Sequence, residues 1–336
     1  MRKVWKVRYV LTILIIGIVA TSLATPVAAE EKKEEIKVAY ITAAYVTQGT
    51  YETSHYNAFR EMIEKYGFSG MTVEKVAYGD TPEVVRGLIA TGAKMIVTLD
   101  AGEASGFFQV CDEYPDVWFV VMSALASLEG HKNVASFSPN FKEAAYLVGV
   151  VGGLLTKTSK NAVVSGERIP PIDVDIRRGW TAGARSVDPD MELEILWTGS
   201  WVDESLAREA TFSLIDWGAD VIMPAIPAER GVYTAAEEKG ISTIGYFADA
   251  YDVSETCVTS WVFKSSVAYD TLGKTFLDGT LEAKIYDVNV AGGYITLAPS
   301  RGRLPAEIES RVAQVAKDIK AGKISVDDEI EKLFKD

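Results

Sequence analysis

From residue 36 onward, short runs rich in Val, Ile and Tyr alternate with stretches whose apolar residues recur every three or four positions. IKVAYITAAY (36–45) reads as a strand, and TSHYNAFREMIEKYG after it sets Tyr56, Phe59, Met62, Ile63 and Tyr66 at helical spacing. MTVEKVAY is the next strand, TPEVVRGLIATG a helix opened by Pro82 and ended at Gly92, and KMIVTLD a buried strand. The helix GEASGFFQVCDEYP, the strands VWFVVMS and NVASFS, and the helix FKEAAYLVGVVGGLLTKT complete a first series. A second series of similar length begins at Asn161, with strands NAVVSGE, MELEILWTGS, DVIMPAI and STIGYFAD separated by the helices RRGWTAGARSV, DESLAREATFSLIDWG and ERGVYTAAEEKG. CVTSWVF and SSVAYDTLGKTFLDG then lead back towards the first half, and a charged amphipathic helix pair follows from Leu304.

Such alternation predicts an α/β protein of parallel βαβ units, folded as two Rossmann-like lobes whose facing cleft closes by hinge motion. The expected division is 36–138 with 263–287 in the first lobe, 139–262 with 288–303 in the second, and a helical extension over 304–336. Chain crossings are expected near 137–140, 261–266 and 286–289. The apolar run over 144–155 is shorter than the roughly 20 residues a membrane-spanning helix needs and contains Gly149, Gly152 and Gly153, so a buried packing helix is predicted.

With 336 residues and 48% hydrophobic content, the chain can bury a large core. Its net charge of −13 gives an acidic body and disfavours nucleic acid as a partner. Residues 1–29 carry Arg2, Lys3, Lys6 and Arg8, an apolar run and small residues ending Val27-Ala28-Ala29, which reads as a signal peptide or a retained membrane anchor. Either places the rest outside the cytoplasm, at the cell surface or in association with the membrane. A charged tether occupies 30–35, and no Cys is present there for lipidation. Cys111 and Cys257 show neither CxxC nor metal-ligand spacing, and two histidines, His55 and His131, exclude a His-rich metal site. No metal and no cofactor is expected.

Enzyme signatures are missing too: there is no GxSxG, GxxxxGK[ST] or HExxH, no GxGxxG at the first strand, and Glu167 alone is a weak general base. Parallel sheets bind ligands beyond the carboxyl ends of their strands, and the loops there combine aromatics with carboxylates. Tyr45, Tyr51, Glu52, Asp100, Trp201, Asp203, Phe247 and Asp249 are the candidate ligand-binding residues. Flat aromatic faces suit a planar heterocycle, carboxylates accept from ring N–H, amino or hydroxyl groups, and scarce basic residues argue against phosphates. Each has a plainer alternative: Asp203 as an N-cap, Trp201 as inter-lobe packing, Tyr51 as a helix-start staple, Asp249 as a solvated turn, His55 and Lys264 as helix-surface groups.

Four strings carry a likeness in order and spacing: NVASFSPNFKEAAYLVGVVGGLLTKT, GSWVDESLAREATFSLIDWGADVIM, AAEEKGISTIGYFAD and VTSWVFKSSVAYDTLGKTFLDG. They resemble the basic membrane protein family of substrate-binding proteins, purine nucleoside receptor A-like, over about residues 36–300, with GSWVD and EEKGISTIGY closest to its purine-base branch. The resemblance implies a type I periplasmic-binding fold, an ABC transporter permease as partner, and a purine base or nucleoside held between aromatic rings, here Tyr51 and Trp201 from opposite lobes. By the same likeness Tyr51 occupies the stacking position, Glu52 stands for an Asn, and Trp201, Asp203 and Asp249 match the pattern. Ala43 and Ala44 stand where nucleoside-binding members place an Asp, and Phe247 where the branch has another. These departures weaken ribose recognition and favour a free base or another flat molecule. A sensor of the same fold signalling to a membrane partner, and a nucleoside-processing enzyme, are the alternatives.

Overall fold

The computed structural model describes residues 35–335 apart from 124 and 126, so the leader and nearly all of the tether lie outside the described residues. In chain order the first half comprises β1 (Lys37–Thr42), α1 (Gly49–Tyr66), β2 (Ser69–Glu74), α2 (Thr81–Ala90), β3 (Ala93–Thr98), α3 (Ala101–Phe108), β4 (Trp118–Val121) and β5 (Val134–Pro139). The second comprises α4 (Phe141–Leu155), β6 (Lys160–Ser165), α5 (Arg177–Arg185), β7 (Glu192–Trp197), α6 (Glu204–Trp217), β8 (Val221–Ala225), α7 (Glu229–Lys239), β9 (Ser242–Gly245) and β10 (Cys257–Phe263). Then follow α8 (Ser265–Leu277), β11 (Ile285–Val288), β12 (Ile295–Leu297), α9 (Ala306–Lys320) and α10 (Val326–Leu333).

Two six-stranded sheets result, ordered β11-β5-β4-β3-β1-β2 and β12-β10-β9-β8-β6-β7. Every pairing is parallel except β10 with β12. The strand chemistry follows position: central β1, KVAYIT, is buried at five of six residues, whereas edge strand β2 alternates half-buried and exposed. The chain passes between the sheets after Pro139, after Phe263 and after Val288. Beside two of these crossings Phe137 and Tyr286 stack with centroids 4.6 Å apart and planes 1° from parallel.

The apolar run at 144–155 lies in α4, which is buried along most of its length. It packs against α5 closely enough that a Cβ at Gly149 would lie 2.3 Å from the Trp180 carbonyl oxygen, and one at Gly183 would lie 2.1 Å from that of Tyr146. Close helix contact therefore explains the glycines, and no helix among the described residues is long and apolar enough to cross a membrane. Two helix boundaries differ from the sequence reading. Helix α1 opens four residues earlier than the periodic stretch at Thr53, because Gly49 adopts φ 72° and carries the turn. Helix α3 ends at Phe108, and Cys111 falls in a separate 3-10 turn, Cys111–Glu113. Both cysteines are free and buried.

Candidate ligand site between the lobes

The early start of α1 decides the site. It brings the helix N-terminus against the start of α7 in the other lobe, where a Cβ at residue 49 would stand 3.1 Å from the Pro227 carbonyl oxygen. Glu229, in the first turn of α7, accepts hydrogen bonds from the Thr50 backbone N–H at 3.2 Å and from Thr50 Oγ1 at 3.0 Å. One buried carboxyl thus spans two helix N-termini, each carrying partial positive charge. Burial pushes its pKa up to about 7, and the Thr50 hydrogen bonds oppose the rise.

Glu52 follows on the inner face of α1. It is 4% exposed, and its Oε2 has no hydrogen-bond partner among the described residues. Burial raises its pKa to about 8, its own backbone N–H opposes this, and the carboxylates of Glu229 and Asp100 add to the rise. Among the described residues, no cation acts on either group. A carboxyl in this state is largely protonated at neutral pH and can both donate and accept.

Aromatic rings close the hinge side. Tyr51 donates its hydroxyl to the Leu99 carbonyl at 2.9 Å and meets Phe247 edge-on, with centroids 4.5 Å apart. His55, one turn after Glu52, stacks on Phe247 at 5.3 Å and lies near Phe263 and Tyr269. It is fully buried, neither ring nitrogen has a partner among the described residues, and burial lowers its pKa to about 3, so the imidazole is neutral. Phe247 holds φ 69°, an uncommon conformation for a bulky side chain, fixed by its carbonyl accepting from Phe263 N–H at 3.0 Å and by its own complete burial. Tyr246 beside it has its phenol pKa raised by burial and then by Glu52.

Of the sequence-derived candidates, Tyr51, Glu52 and Phe247 come together here. Asp100 borders them, but its oxygens are engaged: Oδ1 caps α3 through Gly102 N–H at 2.7 Å and Oδ2 accepts the Tyr78 hydroxyl at 2.6 Å. Trp201 is half-buried over Gly166, where an added Cβ would approach its ring to 2.5 Å, and its carbonyl accepts the N–H of Ala228, next to Glu229. Tyr51 takes its ring contacts from Phe247 and His55, so the facing pair of Tyr51 and Trp201 is not formed among the described aromatic contacts.

Three candidates are placed elsewhere. Asp203 is exposed and caps α6 through the N–H groups of Ser205 and Leu206. Asp249 pairs with Arg301 at 2.6 Å, whose guanidinium holds its carboxyl below the usual range. Tyr45 is 51% exposed beneath the Lys75 ammonium, 5.0 Å from the ring centroid. Thr50, His55, Glu229 and Tyr246 join the site without having been singled out as ligand-binding residues. Glu229 was within reach of the strand-end rule, since it opens the helix directly after β8.

A family profile described as "ABC transporter substrate-binding protein PnrA-like", named Bmp, matches residues 35–330. A purine-binding protein of Brucella abortus is 25% identical over 301 residues, covering 88% of this chain and 84% of that protein. A transcriptional activator protein of Bacillus subtilis is 28% identical over 218 residues, 64% of this chain and 66% of that one. A solute-binding protein of an ABC transporter from Conexibacter woesei superposes with a TM-score of 0.71 at 24% identity, covering 86% of this chain and 98% of that one. Its likeness establishes the two-lobed periplasmic-binding fold. The profile spans nearly the whole described chain, and the protein belongs to the Bmp family of PnrA-like ABC transporter substrate-binding proteins.

Proposed function

We propose that this protein is the extracytoplasmic receptor of an ABC importer and that it closes its two lobes around a purine base or nucleoside for delivery to a membrane permease. The observation that carries this reading is Glu52, whose buried carboxyl oxygen has no partner among the described residues, at the junction of the lobes. Burying such an oxygen is costly unless a ligand group completes it. Purine ring N–H and exocyclic amino groups are donors of the required kind, and the half-buried Tyr246, backed by buried Phe247, gives an apolar wall for a flat ring. With Tyr51 engaged by Phe247, Trp201 supplies the stacking surface on the opposite side. With no cation among the described residues acting on Glu52 or Glu229, an uncharged ligand is favoured over a nucleotide. The relative from Brucella abortus, named for purine binding, supports the same class.

Calorimetry with adenine, guanine, adenosine, guanosine and inosine tests the reading. One-to-one binding without turnover is expected for at least one of them, and no heat from any of the five refutes the purine assignment. A second reading, ligand sensing with signalling to a membrane partner, is favoured by the relative named as a transcriptional activator. Uptake of the bound ligand lost on deleting the gene supports transport, whereas unchanged uptake with altered gene expression supports sensing.

A further inference from the structure

We propose that Cys111, Asp112 and His131 form a binding site for a thiophilic divalent metal ion of the Zn2+ class. Their ligand atoms all lie within 4.8 Å of one another. Cys111 Sγ is 3.9 Å from Asp112 Oδ1, which is 2.9 Å from His131 Nδ1. A tetrahedral ion with bonds of about 2.0 Å to N and O and about 2.3 Å to S separates its ligands by roughly 3.3–3.6 Å. The Sγ–Oδ1 and Oδ1–Nδ1 separations lie within a few tenths of an ångström of that range, and the third side of the triangle, at most 4.8 Å, closes by a movement of up to about 1.2 Å. A thiolate, an imidazole and a carboxylate together select zinc-like ions over Mg2+ or Ca2+, which prefer all-oxygen shells.

The surroundings already hold the donors in place. The His131 ring stacks on Phe108 with centroids 5.2 Å apart and planes 19° from parallel. The Asn133 side-chain amide donates to the carbonyls of Cys111, Tyr114 and Val117 at 2.9–3.0 Å, which fixes the turn bearing Cys111 and Asp112. Outer contacts of this kind orient metal ligands. Cys111 is buried, the His131 side chain is 14% exposed and that of Asp112 is 75% exposed, so an ion enters from the Asp112 side. On binding, the thiol proton leaves to solvent as the metal–sulfur bond forms, His131 coordinates through Nδ1 as the Nε2–H tautomer, and water completes the shell. The turn precedes β4 and His131 precedes β5, so the metal sits at the amino ends of these strands, at the opposite edge of the sheet from the ligand groups.

The test is titration of the reduced, chelator-treated full chain with Co2+. One ion per chain is expected, with a sulfur-to-cobalt charge-transfer band in the near ultraviolet that Zn2+ displaces. Cys257→Ser keeps the band and Cys111→Ser removes it. Because the thiol is buried, His131→Gln and Asp112→Asn carry the test if Cys111→Ser misfolds, each weakening Co2+ by about 10-fold or more. No band from the unaltered chain, loss of the band in Cys257→Ser, or unchanged affinity in both His131→Gln and Asp112→Asn overturns the proposal.

Discussion

Replacing Glu229 by Ala removes the acceptor for the two hydrogen bonds that join α1 of one lobe to α7 of the other, at 3.2 and 3.0 Å from Thr50. A net hydrogen bond contributes about 0.5–1.5 kcal/mol, and one to a charged group about 1.5–3 kcal/mol. With a pKa of about 7, Glu229 is only partly ionised at neutral pH, so the lower part of the combined range applies. A loss of about 1.5–3 kcal/mol in closed-state stability follows, or roughly 10- to 150-fold in ligand affinity. In the proposed open form water would replace Glu229 at Thr50, so the loss would belong to closure and appear mainly as faster ligand release. Calorimetry and stopped-flow release with the ligand that binds best measure both quantities, and Thr50→Val closes a double-mutant cycle. A dissociation constant within twofold of the unaltered protein, with the fold intact, refutes the claim that this carboxyl holds the lobes together.

Glu52 and Glu229 have pKa values raised to about 8 and 7, so their favourable contribution to the ligand-free folded state is complete below about pH 4.5 and is lost as pH rises to 7–8. The melting temperature of Glu52→Gln should therefore fall less steeply than that of the unaltered protein between pH 5 and 8, and parallel profiles would count against a buried carboxyl. Gly49→Ala strains a φ of 72° and drives a Cβ to 3.1 Å from the Pro227 carbonyl oxygen, so small-angle scattering with ligand should show a more open molecule and calorimetry a weaker one; identical profiles would show that the contact yields freely. Trp201→Ala should weaken binding by about 2 kcal/mol or more as a lost aromatic contact, whereas unchanged affinity would leave Trp201 as packing over Gly166 alone. Asp249→Asn breaks the pair with Arg301 outside the cluster and should leave affinity within twofold, and a tenfold loss would bring Asp249 back into the site.

The two-series architecture was legible because strands and helices carry different periods, and β1, α4 and α8 declare theirs over many residues. The strand-end rule led to Tyr51, Glu52 and Phe247, where aromatic and acidic residues adjoin. It also led to Asp249 and Asp203, because a carboxyl in a loop reads alike whether a ligand, an arginine or a helix N-terminus satisfies it. Arg301 is 52 residues from Asp249, and only the antiparallel return at β12 sets them side by side. Glu229 escaped for the converse reason: AERGVY looks like an ordinary first helical turn until a second lobe stands opposite. His55 appears on a helix with no obvious apolar role, and its burial depends on Phe247 and Phe263, which lie about 200 residues later.

Three chain segments cross side by side between the sheets, after Pro139, Phe263 and Val288, with Phe137 stacked on Tyr286 beside them. A single strand at that place would act as a string, free to swivel and twist. Three constrain the halves far more, and for the proposed closure they would leave rotation about one axis as the easy motion. Halves tethered in this way would keep their alignment in a proposed open form, so a return to contact would require no orientational search. In the proposed transport role, a membrane permease would need to sense one angle, the one that separates an empty from a loaded protein.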